Sequence, residues 1–80
     1  MAIKEPWKVI RSETDEQGRS IELRYAEFGK GKSKVRYWRI YRDGEYAGYA
    51  SVPEDVDVNF ARVMSGFVLN ASTGNYEQVK

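Results

Sequence analysis

From Arg19 to Phe28 (RSIELRYAEF) apolar and polar side chains alternate, with Ile21, Leu23 and Tyr25 on one face and Glu22, Arg24 and Ala26 on the other. A period of two over this length predicts a β-strand. Trp7 to Ser12 (WKVIRS) alternates in the same way, with Trp7, Val9 and Arg11 on one side. Between the two runs, Thr14 to Gly18 (TDEQG) is a polar stretch ending in glycine, which takes positive φ at little cost, so a hairpin is expected. After Phe28, GKGKSK reads as a flexible basic loop. It lacks the GxxxxGK[ST] spacing of a phosphate-binding loop.

The stretch Val35 to Val52 (VRYWRIYRDGEYAGYASV) reads as two further strands. Asp43-Gly44 is a strong two-residue turn signal, because a type I′ turn needs positive φ at both central positions. A turn there sets Arg42 opposite Glu45, Ile40 opposite Ala47, Trp38 opposite Tyr49 and Arg36 opposite Ser51. On the other face Tyr41 meets Tyr46, Arg39 meets Gly48, Tyr37 meets Ala50 and Val35 meets Val52. The Trp38, Ile40, Ala47, Tyr49 side is the expected core. Arg39 would be costly to enclose without a partner, which leaves Tyr37, Arg39, Tyr41 and Tyr46 toward solvent.

Helical spacing takes over beyond Ser51. Ser51-Val52-Pro53-Glu54 fits a capping box with proline early in the helix. Val56, Phe60, Val63, Met64, Phe67 and Ala71 form one apolar stripe, predicting a helix with Gly66 inside it. The alternative is that Gly66 ends a shorter helix and FVLNA begins a strand. Ser72 to Asn75 terminates whatever precedes it, and residues 76–80 are a tail or short edge strand. The expected fold is therefore α+β: a four-stranded, mainly antiparallel sheet in β-β-β-β-α order, with one amphipathic helix on one face. Residues 1–80 make a single domain, with 1–6 a frayed N-terminus.

Composition removes several functions. The 80 residues contain no cysteine and no histidine, so disulfides, the usual zinc sites, cysteine nucleophiles and histidine-based triads are excluded. No paired carboxylates suited to acid–base chemistry stand out, and no cofactor motif is present. The expectation is a non-enzyme with no catalytic residue, no cofactor and no metal site. Glu54, Asp55 and Asp57 lack the calcium-loop spacing and suit the positive end of a helix. No apolar run approaches the roughly 20 residues needed to span a bilayer. MAIKEPWK has no apolar core of a signal peptide, so a soluble, cytoplasmic protein without membrane contact is expected.

Charge adds a direction. The net charge is +1, yet Lys30, Lys32, Lys34, Arg36, Arg39 and Arg42 form an acid-free block, followed by Asp43, Glu45, Glu54, Asp55 and Asp57 without a base. Such a dipolar surface steers charged partners. Exposed tyrosines stack on bases and guanidiniums bind phosphate, so Tyr37, Arg39, Tyr41 and Tyr46, with Lys30, Lys32, Lys34 and Arg36 beside them, are the candidate nucleic-acid or partner-binding residues. Val58, Arg62 and Leu69 form a ridge off the main stripe, a candidate homodimer or partner surface. The strand–hairpin–helix order, with YWRIYRDGEYAGY at its centre, resembles the arm-type DNA-binding domains of phage integrases, in which three strands precede one helix. The resemblance covers under half the chain, the helix here lacks the basic residues such a domain would want, and no functional residue carries over from it. Two functions follow as expectations. One is a nucleic-acid-binding module. The other is a small phage- or mobile-element-type inhibitor or adaptor (anti-CRISPR-like) that binds a host nucleic-acid-processing complex through protein contacts.

Overall fold

The alternating run at residues 19–28 is a strand, β2 (Ser20–Phe28), and the strands on either side pair with it antiparallel. A computed structural model describes residues 7–29 and 31–78. β1 (Lys8–Thr14), β2, β3 (Val35–Arg42) and β4 (Glu45–Ala50) form one four-stranded antiparallel sheet in chain order. One helix follows, α1 (Pro53–Met64), and then a two-stranded sheet of β5 (Phe67–Asn70) and β6 (Asn75–Gln78). The fold is α+β. The residues expected to fray, 1–6, lie outside those described, as do Lys30 and residues 79–80.

α1 lies on the face carrying Ile21, Leu23, Trp38 and Ile40, and buries Phe60 and Val63 against them and against Ala47 and Ala50. Fully burying one such aliphatic or aromatic side chain stabilises by about 1.5–3 kcal/mol. The β1–β2 turn is tied by Asp15, whose buried carboxylate accepts hydrogen bonds from the Gln17 and Arg19 amides at 2.9 and 2.8 Å and from Arg19 Nε at 2.7 Å. Burial alone would push that carboxyl up. The hydrogen bonds and charge of Arg19 and the amide of Gln17 outweigh it and hold the group below its ordinary value. The β3–β4 turn has positive φ at Asp43 (48°) and Gly44 (83°), as its sequence requires.

Beyond Tyr41–Tyr46 the expected register fails. Ile40 opposes Gly48, Arg39 opposes Tyr49 and Trp38 opposes Ala50, because Ala47 is an extra residue that bulges β4. One inserted residue exchanges faces. Ala50 therefore joins the core, and Tyr49 leaves it for the face of Arg39. The bulge also brings Gly48 under β6: a Cβ there would stand 2.5 Å from the Tyr76 hydroxyl. A second bulge, at Ile10, separates Val9 (opposite Arg24) from Arg11 (opposite Leu23). The two do not share a face as the alternation implied, and the Arg11 guanidinium lies 4.2 Å over the Phe60 ring.

The helix departs from expectation at both ends. Its N-cap is Val52, with no side-chain cap, so the capping box from Ser51 to Glu54 does not form; Pro53 opens the first turn with Glu54 and Asp55. At the other end the shorter-helix alternative holds. Gly66 takes φ +98°, ending the helix in the left-handed conformation glycine favours, and residues 67–70 form β5. Phe67 and Ala71 thus lie beyond the helix whose stripe they extend. Arg42 ties the two elements together, donating from one amino group to the Val63 carbonyl (2.9 Å) and the Phe67 carbonyl (2.6 Å).

Candidate nucleic-acid interface

The face of the sheet opposite α1 is built by the alternate residues of β2, β3 and β4. Ala26 opposes Tyr37, Arg24 opposes Arg39 and Glu22 opposes Tyr41, while Tyr46 and Tyr49 complete the row on β4. Tyr37, Arg39, Tyr41 and Tyr46 thus share a face, as the sequence implied. Trp7, just before β1, folds onto the same face: its ring meets Phe28 edge-on at 5.9 Å, and Phe28 lies 5.8 Å from Tyr37. Ala26, 1% exposed, is enclosed on this side.

Two guanidiniums face each other across β2–β3, an unfavourable juxtaposition of like charge. They take different partners. Arg24 pairs with Glu22 at 2.8 Å and lies 4.1 Å over the Tyr41 ring. Arg39 lies 4.4 Å over Trp7 and 6.0 Å from the Tyr46 ring. Among the described residues, Arg39 has no carboxylate within ion-pair distance. Cation–π contacts of this kind contribute about 0.5–1 kcal/mol at exposed sites. Around Arg39 is a cleft of about 290 Å³ lined by Trp7, Phe28, Tyr37, Trp38, Tyr46 and Tyr49. Burial pushes the Tyr46 hydroxyl above its ordinary value, against the opposing charge of Arg39.

The basic block does not act as a unit. Lys34 is paired with Glu27 at 3.1 Å, and Arg36 lies opposite Glu27 on the helix-side face, away from the tyrosines. The Glu27 carboxyl is held below its ordinary value, first by the hydrogen bond from Tyr25 and then by Lys34. Lys32 is exposed in the short 3₁₀ turn Gly31–Ser33, next to the Phe28 end of the open face. Lys30 lies outside the described residues. Arg42 points to the other side, where burial and the charge of Arg19 push its guanidinium below its ordinary value.

Val58, Arg62 and Leu69 do come together, although Leu69 arrives on β5 rather than on the helix. They line a groove of about 670 Å³ between α1, the β5–β6 hairpin and the end of β4. Arg62 donates to Asn59 Oδ1 at 3.0 Å and lies 5.4 Å over Tyr76, while Asn59 Nδ2 and the Tyr76 hydroxyl both donate to the Tyr49 carbonyl. Among the described residues no group of three or more acidic side chains is placed to hold a metal ion, and no helix is long and apolar enough to cross a membrane.

Sequence reasoning missed Trp7, Phe28, Tyr49 and Arg24 as members of the open face. Gly48 was the available signal for Tyr49, since an isolated glycine inside a strand pattern marks a bulge or a close approach. No protein-family model, curated protein or solved structure matches the chain.

Proposed function

We propose that the chain is a non-enzymatic nucleic-acid-binding module acting in the cytoplasm, and that the open sheet face is its binding surface. The observation that carries this reading is the Arg39 cleft, in which a guanidinium with no acid partner among the described residues is set among aromatic residues. Rings supply stacking area to any base, and a guanidinium supplies a forked donor to phosphate. Lys32 adds positive charge at one end of the face. The test is a gel-shift and anisotropy series with single- and double-stranded oligonucleotides across a range of salt. Binding that falls steeply with salt is expected; binding that is absent or indifferent to salt refutes the reading.

A second reading rests on the other groove. Val58, 50% exposed, and Leu69 beside Arg62 suit a protein contact, as in an inhibitor or adaptor of a nucleic-acid-processing complex. Capture of a protein partner that survives nuclease and is lost in Val58→Asp supports it. Recovery of nucleic acid alone counts against it.

A further inference from the structure

Resting on the nucleic-acid reading, we infer that the open face takes single strands, with an unpaired base seated in the cleft over Trp7 and its phosphate on Arg39. An aromatic cleft on its own also suits a cationic ligand such as a quaternary ammonium. Here the cleft already holds a cation, the Arg39 guanidinium at 4.4 Å from the Trp7 ring centroid, so a second cation is repelled. The complementary ligand is planar and anionic. At about 290 Å³ the cleft lies at or below the roughly 300–1,000 Å³ of sites that enclose drug-sized molecules, and suits one planar group on a longer chain.

Duplex fits this surface poorly. The open sheet face offers no helix or ribbon projecting into a major groove, and paired bases present edges rather than ring faces. Unpaired bases can splay onto aromatic side chains. A base that stacks on Trp7 takes the position now held by Arg39 and leaves that guanidinium free to turn toward the adjoining phosphate. Tyr46 and Tyr49, both nearly half exposed, flank the seat, and Tyr37 extends the stacking surface toward Phe28.

The experiment compares an end-labelled 12-nucleotide oligothymidine, an oligoadenine of equal length, and their duplex, binding to the full chain by anisotropy. Either single strand is expected to bind at least about tenfold tighter than the duplex, with Trp7→Ala or Tyr46→Ala weakening single-strand binding by about tenfold or more, since stacking dominates such contacts. Tyr46→Phe, which keeps the ring, should retain the affinity. Arg39→Met should weaken binding and lower the salt slope by about one ion. Circular dichroism confirms that each variant is folded. Equal or tighter duplex binding, or single-strand affinity unchanged in folded Trp7→Ala and Tyr46→Ala, overturns the inference and leaves nucleic-acid binding standing. Absence of binding to all three probes overturns both.

Discussion

The two faces of the four-stranded sheet put neighbouring arginines of one strand to opposite uses. On the helix side Arg42 is drawn inward and spent on main-chain carbonyls, two from one amino group, while its Nε is buried with no hydrogen-bond partner among the described residues. On the open side Arg39 is stacked on an aromatic ring and has no acid partner among the described residues. Both are cations on β3, three residues apart. One joins the helix end to β5, and the other remains available. Placement relative to the pleat, rather than residue type, separates an architectural arginine from a candidate binding one.

The largest effect expected is on the covered face. Phe60→Ala should cost about 3–5 kcal/mol, read as a drop in the urea midpoint, whereas Tyr46→Ala on the open face should cost about 1 kcal/mol or less. Similar costs for the two would dissolve the contrast. Next comes the arginine pair. Arg42→Met removes the side-chain donor shared by the Val63 and Phe67 carbonyls, leaving Val63 only the Gly66 amide, and should cost about 1–3 kcal/mol. Arg39→Met should cost no more than about 1 kcal/mol in the same denaturation assay. A reversed order would show that the open-face stack is the structural one.

Gly48→Ala sharpens the role of the bulge. Its Cβ would overlap the Tyr76 ring, at a cost of about 1–3 kcal/mol. In a Tyr76→Leu background that cost should fall by at least half, measured as a double-mutant cycle; full additivity would mean that the strain lies elsewhere. The smallest effect is the pH dependence set by Asp15. Its carboxyl is held below the value of about 3.9 that the unfolded chain would show. The stability it contributes is complete above that value and is lost as pH falls through the lower folded value. Asp15→Asn should therefore flatten the acid limb of the stability curve, whereas open-face variants should leave it unchanged.

The four strands, the Asp43-Gly44 turn and the helix were legible because each rests on a local signal: alternation, a two-residue turn, or an apolar stripe. The boundaries were less so. Phe67 and Ala71 continue the helical spacing by coincidence, and only the positive φ at Gly66 breaks it. Ala47 is as compatible with a regular strand as with a bulge. What decides between them is the Tyr76 ring lying against Gly48, a contact made across nearly thirty residues. The open face was half legible. Tyr37, Arg39, Tyr41 and Tyr46 follow from turn parity, while Tyr49 depends on the bulge. Alternation grouped Trp7 with both Val9 and Arg11, and the bulge at Ile10 puts those two on opposite faces, so it did not say which face Trp7 joins. The pairing of Lys34 with Glu27 was hidden because the two are joined by a loop rather than by a repeat.

The Tyr76 hydroxyl, which donates to the Tyr49 carbonyl and accepts from the Tyr49 amide, has a consequence for assembly. It occupies the outward main chain of β4 at the point where another strand would add, and the Asn59 amide holds the same carbonyl. Among the described residues β1, the other edge of this sheet, carries no such side-chain contacts on its outer main chain. An exposed strand edge is a template for pairing with another chain. A strand that adds to the four-stranded sheet is therefore expected on β1 rather than at the Tyr49 end of β4.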